Sequence, residues 1–221
     1  MSGRDEKAGG ELRDRSMDSW YLRSGKRCLD IAASLGTLVL LLPFFAGIAL
    51  AIRLTMGKGI LFRQERPGLG RKPFIINKFR TMRESREANG ELSPDGVRLT
   101  RFGEFLRRTS LDELPELVNV LRGEMSLVGP RPLLMEYLGR YSPHQARRMD
   151  VKPGITGWAQ VNGRNAIDWD AKFAHDVWYV DHLTFGLDLR ILGLTLEKVF
   201  VKEGISHEGH VTMPGFKGIG S

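Results

Sequence analysis

The stretch Ile31-Ala32-Ala33-Ser34-Leu35-Gly36-Thr37-Leu38-Val39-Leu40-Leu41-Leu42-Pro43-Phe44-Phe45-Ala46-Gly47-Ile48-Ala49-Leu50-Ala51-Ile52 runs for 22 residues without a charge. As a straight helix rising about 1.5 Å per residue it matches a bilayer core of roughly 30 Å. A soluble core helix of that length carries a polar face, and this segment has almost none. About 30 residues precede it and no small-residue cleavage site follows, which excludes a cleaved signal peptide. The segment reads as membrane-inserted.

Two features complicate a simple span. Pro43 sits near the middle, where it removes a helix hydrogen bond and forces a kink. Both flanks are basic: Arg23, Lys26 and Arg27 precede the segment, and Arg53, Lys58, Arg63 and Arg66 follow it. Lys and Arg prefer the cytoplasmic side, so both flanks are satisfied when the chain enters and leaves by one face. The arms, residues 31–42 and 44–52, have 12 and 9 residues. At about 1.5 Å per residue neither spans alone. A re-entrant hairpin fits these residues; a proline-kinked spanning helix is the other reading.

Outward from this segment, residues 1–19 are mixed in charge and read as a loose tail. Trp20 and Tyr21 suit a membrane interface. The whole chain has 221 residues, 42% hydrophobic and 27% charged, which suits one folded domain and excludes wholesale disorder. Its mean hydropathy of −0.22 hides the apolar block. A single cysteine, Cys28, excludes a disulfide framework and a Cys-based zinc site, and suits a reducing compartment. The net charge is +7, of which residues 31–221 carry +6. A basic body beside a membrane favours anionic headgroups or phosphorylated substrates.

Residues 60–64 and 74–79 are β-like and flank the turn signal Arg66-Pro67-Gly68-Leu69-Gly70-Arg71-Lys72, which predicts a hairpin. Residues 84–98 read as a surface loop, and a helical pattern starts at Phe102. Residues 187–199 form an amphipathic pattern suited to the membrane surface or to the core. Trp158, Trp169, Trp178 and Tyr179 read as packing or interface anchors.

The chemistry concentrates in Arg107-Arg108-Thr109-Ser110-Leu111-Asp112-Glu113-Leu114-Pro115-Glu116-Leu117. Ser110 and Glu113 have capping-box spacing, which would start a helix at Ser110 and put Asp112 in its first turn, kept ionised by the helix dipole. Alternatively Pro115 opens the helix and Asp112 lies in the preceding turn. An S-x-x-E cap usually only caps. Around it lie cations on turns: Arg107 and Arg108, Arg122, Arg131 between two prolines, Lys78 and Arg80 at the end of a strand-like run, and Arg164 in Gln160-Val161-Asn162-Gly163-Arg164. Singly each is a surface charge; together they offer groups suited to phosphate oxygens. Acid, cations and membrane segment point to phosphoryl chemistry at a bilayer surface. Phosphate-binding glycine loops, zincin helices and serine-hydrolase elbows are absent from the sequence. His207 and His210 make a poor metal site.

These motifs resemble, in order, the bacterial sugar transferases that begin glycan assembly, the small monotopic phosphoglycosyl transferases. The likeness runs from Lys26-Arg27 through Pro43, Lys78-Phe79-Arg80-Thr81-Met82, Thr109-Ser110-Leu111-Asp112-Glu113-Leu114-Pro115 and Ser126-Leu127-Val128-Gly129-Pro130-Arg131-Pro132 to Lys152-Pro153-Gly154-Ile155-Thr156-Gly157-Trp158. It is similar to the minimal form of the family. The resemblance implies an α+β fold: a mostly helical catalytic domain with a small β-hairpin, anchored by an N-terminal re-entrant helix broken at Pro43. It implies a tail over 1–22, the membrane hairpin over 23–57 and a catalytic domain over 58–221. Some members carry a small polar residue before the hairpin proline, where this chain has Leu42, and Thr37 lies too far away to replace it.

The resemblance further implies transfer of a sugar-1-phosphate from a UDP-sugar to undecaprenyl phosphate, with release of UMP. Asp112 would be the nucleophile, forming a covalent phosphosugar intermediate, and the ligand of a required Mg²⁺. Glu113 would assist as base or through the metal. Arg107, Arg131 and Arg164 match family arginines at the phosphate site, and Lys78 matches an active-site lysine. The implied location is the bacterial inner membrane, with the catalytic part on the cytoplasmic face and in contact with membrane lipids. Two rivals are a basic lipid- or nucleic-acid-binding membrane protein and a catalytically inactive scaffold. The basic residues form no stripe and no aromatic stacking platform, so nucleic acid is not expected as a partner. A homodimer is compatible with the sequence and not demanded by it.

Overall fold

The computed structural model describes residues 20–85, 87, 90–91, 93–163, 167–201, 216 and 218. The protein is mostly helical with two small sheets, an α+β arrangement. A π-helical turn, Tyr21–Gly25, leads into helix α1 (Lys26–Leu40), followed by α2 (Leu42–Met56). The two rods meet at 64° across Leu41. No single described helix is long and apolar enough to cross a membrane; the bent pair passes that test only together.

The bend has a local cause. Pro43 is the second residue of α2 and brings no N–H to the turn before it. Around it the ladder continues, with Leu41 N–H donating to Thr37 O and Phe45 N–H to Leu41 O, both at 2.9 Å. Proline is tolerated in a helix's first turn, so the chain stops one helix and starts another. Leu35, Val39, Leu40, Leu42, Phe44, Leu50 and Leu54 stay exposed on the two rods. On the inner side Ile48, Ile52 and Met56 bury against Phe79 and Leu106. Helix α1 does have a polar stripe, contrary to the sequence expectation. Asp30 and Ser34 are buried and Thr37 half-buried, at the three- to four-residue spacing of one helix face.

Strands β1 (Leu61–Pro67) and β2 (Pro73–Phe79) form the expected antiparallel hairpin, in register from Leu61 opposite Phe79 to Pro67 opposite Pro73. Helix α3 spans Arg101–Arg108 and α4 spans Glu116–Arg122. Strands β3 (Ser126–Val128) and β4 (Gly154–Thr156) then pair in parallel, a feature too short to show in the sequence pattern. Their packing requires glycine: a Cβ on Gly129 would overlap Lys152 O, and one on Gly154 the Gly129 backbone. Helices α5 (Trp169–Asp181) and α6 (Phe185–Val201) complete the body. Phe216 returns to an aromatic cluster with Tyr137 and Phe173.

The basic flanks tie the bent pair to this body. Arg27 donates to Val120 O at 2.5 Å and Leu121 O at 2.8 Å, closing the C-terminus of α4. Lys26 donates to Val128 O at 3.0 Å and pairs with buried Asp188 of α6. Tyr21 is buried, not interfacial as its sequence position suggested, and its hydroxyl donates to the same Asp188 at 2.5 Å. At the other end Arg83 donates to Thr55 O at 2.8 Å and Arg80 to Met56 O.

Candidate active site

The site is built on the link between α3 and α4. Ser110 adopts a left-handed backbone, φ 57°, unusual for a residue with a Cβ. The chain turns there into a short 3₁₀ segment, Leu111–Glu113, and α4 begins after Pro115. The Ser110 side chain caps nothing, so the capping-box reading fails and the alternative through Pro115 holds. Asp112 therefore lies in the turn before α4, without the expected helix start to keep it ionised. Burial first, then the adjacent Glu113 charge, push its carboxyl up to about 6, against the pull of Lys78, Arg131 and Arg107.

Glu113 is the opposite case. Its Oε1 accepts from Lys78 Nζ at 2.8 Å, and Arg131 grips both oxygens, with Nη1 to Oε2 at 3.2 Å and Nη2 to Oε1. Burial would raise this carboxyl, but Arg131 and then Lys78 hold it well below the usual carboxylate range. A third acid, Glu116, is fully buried. Its Oε1 is 3.1 Å from Lys78 Nζ but lacks hydrogen-bond geometry. Burial pushes it up to about 7, opposed by Lys78 and reinforced by Glu113. Sequence reasoning quoted Glu116 and gave it no role. Its signal is the spacing of Glu113 and Glu116, which brings both acids to one lysine.

A cleft of about 360 Å³ opens beside these groups. Its lining includes Arg107, Ser110, Glu113, Leu114, Leu117, Arg131 and Leu133, with Thr37 of α1. Later in the chain, Arg148, Ile155, Thr156, Ala159, Gln160, Lys172, Asp176 and Thr195 line it too. Arg107 is oriented by its Nε donating to Thr81 Oγ1 at 3.0 Å. Asp112 is 8% exposed and does not line the cleft; Glu113 does. Among the described residues the Asp112 carboxyl makes no hydrogen bond or ion pair, whereas the Glu113 oxygens are committed.

The structure thus brings together Lys78, Arg107, Asp112, Glu113 and Arg131. It does not bring Arg80, which follows β2 and whose guanidinium donates to Met56 O at the end of α2. Arg164 lies outside the described residues, as do His207 and His210. Thr37, Lys172 and the Arg148–Asp176 pair escaped the sequence reading, since they join the cleft from separate elements. No group of three or more His, Cys, Asp or Glu among the described residues is placed to hold a metal alone. Mg²⁺ commonly takes one or two carboxylates with substrate phosphates. Asp112, buried and uncommitted, fits that role; Glu113 does not.

A model of the bacterial sugar transferases matches residues 21–202. The chain belongs to the bacterial sugar transferase family. It is 54% identical to the sugar transferase EpsL of Bacillus subtilis (strain 168), over 88% of this chain and 96% of that protein. It is 39% identical to the UDP-glucose:undecaprenyl-phosphate glucose-1-phosphate transferase of Escherichia coli (strain K12), over 80% of this chain and 40% of that protein. It is also 37% identical to the UDP-N-acetylgalactosamine-undecaprenyl-phosphate N-acetylgalactosaminephosphotransferase of Aeromonas hydrophila, over 81% of this chain and 44% of that protein. The chain therefore spans nearly all of the first relative and about two fifths of the other two. Family membership accounts for the order of motifs along the chain, and the shared part contains the acid pair, the cations around it and the cleft.

Proposed function

We propose that the protein transfers a sugar-1-phosphate from a UDP-sugar to undecaprenyl phosphate, through a phosphosugar carried on Asp112. The observation that carries this reading is the division of labour between two adjacent acids. Glu113 is held by Lys78 and Arg131, so its lone pairs are spent on orienting two cations. Asp112 has no such partner and is the acid able to attack. In the first step an Asp112 oxygen bonds to the sugar-bearing phosphorus. The bond from that phosphorus to the bridging oxygen breaks, and UMP leaves with the bridging oxygen and its electron pair. In the second, an oxygen of the lipid phosphate attacks the same phosphorus and returns Asp112 as a carboxylate.

Arg107 and Arg131 line the cleft where phosphate charge must be met. Asp112 would hold a Mg²⁺ ion, which when bound supplies further neutralisation between the carboxylate and the diphosphate. The relatives' named reactions support undecaprenyl phosphate as acceptor and a UDP-sugar as donor. The bent pair supports re-entry from the cytoplasmic face. Each rod has 15 residues, about 22 Å of helix, less than a bilayer core. Both ends are bonded to one body, by Arg27 and Lys26 at the start and by Arg80 and Arg83 at the finish. Thr37 of α1 reaches the cleft, so a lipid acceptor lying along the hairpin has a route to it.

The test is intact-protein mass spectrometry of the full chain in nanodiscs with Mg²⁺ and a panel of UDP-sugars, without acceptor. The expected result is a gain of one sugar phosphate with the right donor, absent in Asp112→Asn. Undiminished UMP release by Asp112→Asn in the presence of polyprenyl phosphate would overturn the mechanism.

A further inference from the structure

Two acids hold the Lys78 ammonium, and the two steps above use only one of them. Its Nζ lies 2.8 Å from Glu113 Oε1 and 3.1 Å from Glu116 Oε1. Glu113 is also gripped by Arg131, so its place is set from a second side. Glu116 is 1% exposed, and its Oε1 has no hydrogen bond. A buried polar atom in that condition calls for an explanation. Stability does not supply one, because a well-packed apolar side chain serves a buried position at least as well.

The face of α4 turned to β2 does supply one. Glu113, Glu116 and Asn119 recur at every third residue from the turn into α4, the spacing that lines side chains up on one helix face. Asn119 is fully buried and holds the backbone of β2. Its Nδ2 donates to Ile75 O at 2.7 Å, and its Oδ1 accepts from Asn77 N–H at 3.1 Å and from Asn77 Nδ2 at 3.0 Å. Lys78 is the next residue of the strand. The clamp therefore fixes where the Lys78 stem starts. The ammonium stands at the far end of a flexible four-carbon stem, which the clamp does not reach. Glu113 alone gives that end a single point of attachment, about which it can pivot. Glu116, at the start of α4, gives it a second.

We infer that Glu116 is a positioning residue, whose buried Oε1 holds the Lys78 ammonium in place against Glu113. It acts through Lys78 and touches no substrate. What it supplies is an oxygen at a fixed point, so glutamine can take over the task and leucine cannot. The kinetic consequence rests on the phosphoglycosyl transfer reading: a displaced Lys78 no longer orients Glu113, so adduct formation slows while donor binding is unchanged.

The test has two arms, both on the full chain in nanodiscs. The first needs no turnover. Lysines are labelled briefly with acetic anhydride and read by peptide mass spectrometry, with exposed Lys72 as the reference. Labelling of Lys78 should rise severalfold in Glu116→Leu, since the ammonium leaves its cover, and stay near wild type in Glu116→Gln. The second arm measures the rate of adduct formation against donor concentration. At saturating donor the rate should fall roughly ten- to a hundredfold in Glu116→Leu, the loss that follows a small misplacement of an active-site group. The half-saturating donor concentration should not move, and Glu116→Gln should keep most of the rate. In a Lys78→Met background Glu116→Leu should cost nothing further, because residues that act through one another are not additive. If Glu116→Leu does not fold, Glu116→Met takes its place in both arms. Unchanged Lys78 labelling in the apolar variant overturns the inference, as does an equal rise in Glu116→Gln, or a loss of rate as large in the Lys78→Met background as in wild type. If wild type forms no adduct with any donor, yet Lys78 labelling depends on Glu116, the transfer reading fails and the positioning of Lys78 stands.

Discussion

With both Glu113 oxygens held by cations, titration at neutral and mildly acidic pH falls to its neighbours. In the proposed mechanism the attacking form of Asp112 is the carboxylate, and burial pushes this carboxyl up to about 6. Adduct formation should therefore decline below about pH 6, by roughly tenfold per unit. In Glu113→Gln the acid limb should move to lower pH. That variant removes a negative neighbour and leaves Lys78 and Arg131 to stabilise the Asp112 charge. It should also lose most turnover, because the two cations lose their guide. A pH series of adduct yields on both proteins measures the shift, and an unmoved limb would separate Asp112 from it. Glu116 gives a stability signature instead. Its carboxyl rises from 4.5 to about 7 on folding, so the folded chain binds more protons between those values. Stability then falls as pH rises through that window. Glu116→Gln should flatten the decline, by roughly 1–3 kcal/mol, in denaturant melts at pH 5 and pH 8.

At the scale of elements, the short parallel pair β3–β4 holds two stretches of the cleft lining side by side. Arg131 follows β3 and Thr156 ends β4, so the backbone contact between Gly129 and Gly154 brings these lining residues together. Gly154→Ala puts a methyl group into the Gly129 backbone and should destabilise the protein by about 2–4 kcal/mol, read as a lowered unfolding temperature. Survival of wild-type stability would mean the strands separate freely. Arg27→Ala removes the Arg27 donor from Leu121 O and leaves Val120 O with the Gly123 N–H alone at the end of α4. It should cost about 1–3 kcal/mol, again by melting. The hairpin β1–β2, helix α3 and the break near Pro43 were legible in the sequence, since each follows from periodicity or from one proline. The β3–β4 pair was not, because three-residue strands have no period to read. The polar stripe on α1 was legible in principle: Asp30, Ser34 and Thr37 share a face, but hydropathy averages over it.

Across the whole molecule, the acid pair and Lys78, Arg107 and Arg131 could be singled out from local motifs, and the fold gathers them. Arg80 carried the same local signal and went elsewhere, because a guanidinium at the end of β2 also reaches the last carbonyls of α2. Arg148 and Asp176 are 28 residues apart and carry no mutual signal before the chain is folded. The ionisation of Asp112 depends on burial, which motif spacing does not report. Topology offers a test at this scale. Cysteine tags at both ends of the bent pair should be protected from periplasmic labelling reagents. A labelled N-terminal tag with a protected catalytic body would mean that the pair crosses the bilayer.

The pairing of Lys26 with Asp188 spans 162 residues of chain. During synthesis the ribosome releases the bent helix pair long before it makes the carboxylate that neutralises its first lysine. A nascent chain therefore carries the bent pair with Lys26 not yet neutralised, and the final seating of the start of α1 waits for α6. Any product of premature termination upstream of Asp188 would keep the Arg27, Arg80 and Arg83 bonds but leave Lys26 without its carboxylate, a mark by which quality-control proteases could tell an unfinished chain from a finished one.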